Sequence, residues 1–118
     1  MIIMGQLQDK VAIVTGAARG LGRAYAQAMA HEGAAVLVCD VNSCDETVAA
    51  IAAAGGQVKS MRTDVSSMAS CTDMAAAAVS AFGKVDVLVN NAGLYGGLKG
   101  ARFEHLDEAQ WDAVMNIN

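Results

Sequence analysis

Four short apolar runs stand out along the chain, Val11–Thr15, Ala35–Cys39, Val58–Met61 and Val85–Val89, and the first is nearly all apolar. Runs without alternation suit strands buried on both faces, as in a parallel sheet. Between them lie three longer segments of helical character, roughly Leu21–Glu32, Cys44–Ala54 and Ser67–Phe82. In the first, Leu21, Ala24, Tyr25, Ala28 and Met29 fall at i, i+3, i+4, i+7 and i+8, which predicts an amphipathic helix with that face against the sheet. Gly33, Gly55-Gly56 and Gly83 stand where the three helices should stop. Ser43 and Glu46 have the spacing of a capping box for the second helix. A further helix opens near Asp107. Strand and helix alternate as βαβαβαβ, the signature of an α/β fold: a doubly wound parallel sheet with right-handed crossovers and helices on both faces. The usual order of the first four strands is then 3-2-1-4, with a crevice at the carboxyl ends of strands 1 and 4.

Composition narrows the class. Of 118 residues, 54% are hydrophobic and 17% charged, so a packed domain over residues 1–118 is expected rather than a disordered chain. The net charge of −4 and the lack of a basic run argue against nucleic acid and anionic membrane surfaces as partners. No apolar stretch is long enough to span a bilayer. The start, Met1-Ile2-Ile3-Met4-Gly5, has no basic n-region of a signal peptide, and Cys39, Cys44 and Cys71 form no disulfide framework. The expectation is a cytoplasmic protein with reduced thiols and no metal site, since His31 and His105 also lack partners at ligand spacing.

The chemistry gathers at the loops that follow the strands. The stretch Thr15-Gly16-Ala17-Ala18-Arg19-Gly20-Leu21-Gly22 joins the first strand to the first helix. Gly16 suits a tight turn, Gly20 leaves the backbone open to a phosphate, and Gly22 permits close packing of the helix on the strand. Such a helix N-terminus offers free N–H groups and a positive dipole end to an anion. Asp40 ends the second strand, 24 residues after Gly16, where a carboxylate can accept both hydroxyls of an adenosine ribose. Asp64-Val65 ends the third strand and could flank an adenine, while Asp64 or Ser66 could equally cap the third helix. Asn90-Asn91-Ala92-Gly93 follows the fourth strand and should face the glycine turn across the crevice.

These stretches, with Trp111-Asp112-x-Val114-x-x-Ile117-Asn118, occur in an order and spacing that resemble the short-chain dehydrogenases/reductases from about Leu7 onward. The resemblance implies a Rossmann-type fold, a nicotinamide cofactor, and hydride transfer between an alcohol and a carbonyl substrate. It places Gly16, Arg19, Gly20, Leu21, Gly22, Asp40, Asp64, Val65, Asn91, Ala92 and Gly93 around the cofactor. It gives Asp64 the adenine amino group, Val65 the adenine pocket, and Asn118 a catalytic part, holding a water in a proton relay. Arg19 stands where a 2′-phosphate would be met, but Asp40 favours NAD over NADP. The resemblance also implies homo-oligomers, dimers or tetramers, through helices beginning near Asp107.

The family's serine and Tyr-x-x-x-Lys pair are expected beyond Asn118, in a longer protein of which this is the cofactor-binding part. Tyr95-Gly96-Gly97-Leu98-Lys99 matches Y-x-x-x-K, but its glycines disfavour a helix by about 2 kcal/mol relative to alanine. It lies directly after the Asn-Asn-Ala-Gly loop, and a loop on the substrate side is the better reading. Alternatives from other classes are a catalytically silent dinucleotide-binding or interaction module and a Rossmann-like methyltransferase; the Asn90–Gly93 loop argues against the latter.

Overall fold

A computed structural model describes residues 5–94 and 96–118. Its elements run β1 (Val11–Thr15), α1 (Gly20–His31), β2 (Ala35–Asp40), α2 (Asp45–Ala53), β3 (Gln57–Arg62), α3 (Met68–Phe82), β4 (Val87–Val89) and α4 (Glu108–Ile117), with a 3₁₀ turn at Phe103–His105 before α4. The strands form one parallel sheet in the order β3-β2-β1-β4. β1 is central, with Ile13 paired to Leu37 on one side and to Leu88 on the other.

Each face of the sheet has its own core. Val14, Val36 and Val38 pack with Ala26 of α1 and Ile51 of α2. Ile13, Leu37 and Cys39 pack with Met74 and Ala78 of α3. This two-sided burial explains why β1 and β2 read as unbroken apolar runs. Leu37 is among the largest fully enclosed side chains, and its truncation to alanine would cost about 2–5 kcal/mol. β4 is shorter than the Val85–Val89 run. Asp86 is tied down instead, its N–H donating to the Val11 carbonyl and its carboxylate accepting from the Val11 N–H, which leaves Val85 outside the ladder.

Three local expectations are corrected. The face of α1 that meets the sheet is Gly22, Ala26, Met29 and Ala30, whereas Leu21, Ala24, Tyr25 and Ala28 are exposed. Small residues win because the helix lies close to the sheet, and a wide side chain there would push it away. The capping box of α2 does not form. The N-cap is Cys44, Ser43 Oγ accepts from the Asp45 N–H, and the Glu46 carboxylate pairs with Arg23 instead. Neither Asp64 nor Ser66 caps α3; Ser67 does, accepting from the Ser70 N–H. Among the described residues, no helix is long and apolar enough to cross a membrane.

Candidate functional site

The carboxyl ends of the four strands open onto one cleft of about 440 Å³. Every expected site residue except Gly22 and Asn118 lines it: Gly16, Arg19, Gly20 and Leu21 after β1, Asp40 at the end of β2, Asp64 and Val65 after β3, and Asn91, Ala92 and Gly93 after β4. Two loops far apart in sequence thus become the two walls of one crevice, as a 3-2-1-4 order requires.

The three glycines of the turn do three different things. Gly16 has φ +65°, and a Cβ there would fall 2.9 Å from Ala92 Cα and from Asn91 Nδ2. Gly22 lies beneath the cleft. A Cβ on it would come within 2.1 Å of the Gly16 carbonyl oxygen, so the close approach is to the turn itself more than to the strand. Gly20 has φ +61° with nothing within 4 Å of a built Cβ. That position faces open space at the start of α1. Arg19 is the N-cap there, no side chain caps the helix, and its first turn holds no acidic residue.

Thr15 and Asn91 fasten the walls together. Thr15 Oγ1 donates to the Val89 carbonyl at 3.2 Å and accepts the N–H groups of Asn91 at 3.1 Å and Ala92 at 3.0 Å. Its one donor and two acceptor positions are then all used. The Asn91 side-chain amide donates to the Thr15 and Gly16 carbonyls, both at 3.2 Å. Sequence reasoning passed over Thr15 as the end of a strand. Its signal was a hydroxyl closing an otherwise apolar run, where the sheet would bury it.

Asp40 serves the turn as well as facing the cleft. Its Oδ2 accepts the Ala18 N–H at 3.0 Å and its Oδ1 the Asn42 N–H at 3.0 Å. Each oxygen keeps a lone pair for another donor. Asp64 accepts the Ser66 N–H and hydroxyl, which hold its carboxyl below the ordinary carboxylate range, so it remains an ionised acceptor at neutral pH. Thr63 lines the cleft with its hydroxyl buried beside the Cys39 thiol.

Burial disfavours the thiolate of two cysteines near Asp40, Cys39 in the cleft lining and Cys44 at the start of α2. Burial pushes Cys39 up to about 11, with the Thr63 hydroxyl pulling the other way and the Asp40 charge adding to the rise. Burial likewise pushes Cys44 up to about 11, reinforced by the charge of Asp40. Asn118 sits at the end of α4 with its side chain engaged by Leu94: its Oδ1 accepts the Leu94 N–H at 2.6 Å and its Nδ2 donates to the Leu94 carbonyl at 3.3 Å. Leu94 and Ile117 line the cleft, so Asn118 is one residue removed from it. Tyr95 lies outside the described residues. Gly96 and Gly97 form a turn, Gly97 at φ +76°, and the Lys99 backbone pairs with the Gln110 amide, so no helix runs from Gly96 to Lys99.

The chain matches the short chain dehydrogenase family over residues 10–118. It is 42% identical to an uncharacterized oxidoreductase of Methylorubrum extorquens, over 98% of this chain and 46% of that protein. It is 38% identical to a galactitol 2-dehydrogenase of Agrobacterium fabrum, over 96% and 43%. Among solved structures it superposes with TM-score 0.88 on a Burkholderia xenovorans protein assigned to the short-chain dehydrogenases/reductases, at 41% identity, covering 97% of this chain and 47% of that one. The chain spans about half the length of the relatives it matches. A family match across nearly the whole sequence, joined to a parallel sheet of the same form with its loops gathered at one crevice, leaves one conclusion: this chain belongs to the short-chain dehydrogenase/reductase family.

Proposed function

We propose that the complete protein transfers a hydride between a nicotinamide cofactor and an alcohol or ketone, and that these residues form its cofactor-binding half. The observation that carries the reading is the open, uncapped start of α1 at Gly20, facing the same cleft as Asp40. A pyrophosphate suits the first, since the N-terminus supplies N–H donors and a positive dipole end. A ribose suits the second, since a carboxylate accepts two hydroxyls. The buried Thr63 hydroxyl is a further polar group toward the adenosine end. When bound, the nicotinamide accepts or gives up the hydride.

This chain's own residues would bind and orient. Gly16, Leu21 and Gly22 shape the phosphate side. Asp64 and Val65 flank the adenine. Asn91, Ala92 and Gly93 form the opposite wall. Asn118, already bonded to the Leu94 backbone, would hold a water near the reacting end. Proton transfer to substrate falls to a serine and a helical Tyr-x-x-x-Lys pair outside these residues.

NAD is the preferred cofactor in this reading. A 2′-phosphate would meet the Asp40 carboxylate, and two hydroxyl bonds would be lost with the added repulsion. Arg19 opposes this from the turn, but as a side chain of the cleft lining it answers only the phosphate charge. The net preference is at least about tenfold, or about 1.4 kcal/mol. The reading extends to a cytoplasmic homo-oligomer, supported by free cysteines and by Trp111 and Met115 exposed on α4.

The test is turnover. The complete protein with NAD and a panel of alcohols should yield reduced cofactor and the matching carbonyl. No turnover with NAD or NADP, across alcohols and ketones in both directions, would contradict it.

A further inference from the structure

A polar cluster on the far side of the glycine turn belongs to none of the roles above. Thr47 of α2 is fully buried, and its hydroxyl donates to the Ala17 carbonyl at 2.7 Å. Arg23 of α1 donates through Nε to that same hydroxyl at 3.1 Å. Its terminal nitrogen donates to the Ala18 carbonyl and pairs with Glu46 Oε2 of α2 at 3.0 Å. Ala17 and Ala18 are themselves buried, so their carbonyls need protein partners.

The consequence follows from the planar trans peptide, whose C=O and N–H point in opposite directions. With the Ala17 carbonyl held by Thr47, the Ala18 N–H points the other way, and there it meets Asp40 Oδ2 at 3.0 Å. With the Ala18 carbonyl held by Arg23, the Arg19 N–H of the same peptide is turned away from Arg23, and Arg19 and Gly20 are residues of the turn that line the cleft. We propose that Arg23 of α1 and Thr47 of α2 form a clasp that holds the glycine turn in its cofactor-binding shape, acting as positioning residues that touch no ligand. The clasp also seats Asp40, because the Ala18 N–H it orients is the donor that Asp40 Oδ2 accepts. A thin, glycine-rich turn is flexible by itself. The clasp makes it rigid before the ligand arrives, so less ordering is needed on binding.

This inference rests on the cofactor reading, and its test separates the two. The complete protein is compared with its Thr47→Val, Thr47→Ser and Arg23→Lys variants. Calorimetry reads NAD affinity; amide hydrogen exchange at Ala18 and Arg19 is read without cofactor; a thermal melt reports global stability. Thr47→Val keeps the shape but removes the hydroxyl. It should weaken NAD binding about tenfold and speed exchange at Ala18 by a similar factor, with exchange in β1 and β2 unchanged. Thr47→Ser should restore both to within about twofold. Arg23 is partly exposed, so Arg23→Lys should fold even if Thr47→Val does not. It keeps the charge but not the multiple bonds, and should weaken NAD binding several-fold. Parent-like affinity and exchange in Arg23→Lys, together with a Thr47→Val variant that is parent-like or fails to fold, would overturn the clasp and leave the cofactor reading intact. A parent protein that binds neither NAD nor NADH would overturn the reading and the inference with it.

Discussion

Replacing Gly20 by alanine separates what the turn needs for folding from what it needs for binding. The residue sits at φ +61°, and a built Cβ meets nothing within 4 Å. The cost to the free protein is therefore the left-handed backbone penalty alone, about 1–2 kcal/mol. In the complete protein, taken at the roughly doubled length of its relatives, that lowers Tm by roughly 2–8 °C, at about 2–4 °C per kcal/mol. The same strain is present with and without ligand, so it cancels from the binding free energy. Any loss of NAD affinity then reports the methyl group meeting the ligand. If a pyrophosphate lies against this backbone, the loss should be at least about tenfold, or about 1.4 kcal/mol. Calorimetric titration beside a thermal melt measures both quantities on one preparation. Gly22→Ala is the contrast: its Cβ would come within 2.1 Å of the Gly16 carbonyl oxygen, a backbone atom that cannot swing aside. That variant should lose stability well beyond the left-handed penalty. A Gly20→Ala protein with the modest fall in Tm and undiminished NAD affinity would refute the placement of a phosphate at this turn.

Asp40→Ser should narrow the preference for NAD over NADP, and should also cost about 1–3 kcal/mol of stability because the Ala18 or Asn42 N–H loses its acceptor; paired titrations and melts read both. Asp86 accepts the Val11 N–H at 2.8 Å and pairs with Lys84 at 3.0 Å, which hold its carboxyl below the ordinary range. Its contribution is complete above the ordinary carboxylate pKa and disappears as pH falls through the lowered folded value. Asp86→Asn should therefore flatten the acid limb of a stability–pH curve and leave the neutral-to-basic limb parallel to the parent's. Cys39 and Cys44, buried and raised to about 11, should resist alkylation at pH 7 in the native protein and react only on unfolding, as mass spectrometry of trapped thiols would show.

The sheet was readable because β1 and β2 are buried on both faces, and such strands have no polar side to confuse the pattern. The strand order followed from the alternation of elements, and the site from loops that this order brings together. The buried face of α1 was misread because the periodicity argument gives weight to large apolar residues. Gly22, Ala26 and Ala30 form an equally regular stripe, and their smallness is what lets the helix sit near the sheet. Local capping failed for a different reason. Glu46 has the spacing to close a box with Ser43, but Arg23 of α1 offers a charge partner that no window on α2 contains. Thr15 and Thr47 escaped notice on the same grounds. Each hydroxyl matters through partners on another element: Val89, Asn91 and Ala92 for Thr15, Ala17 for Thr47. Asp40 was seen as a ligand group, while its hold on the Ala18 N–H could be read only from the folded turn.

The most direct measurement is a crystal structure of the complete protein with NAD. The account predicts density for the pyrophosphate against the Gly20 backbone at the start of α1, the adenosine ribose within hydrogen-bond distance of Asp40, and the adenine between Asp64 and Val65. A dinucleotide seated away from this cleft, or a cleft left empty at saturating NAD, would contradict it.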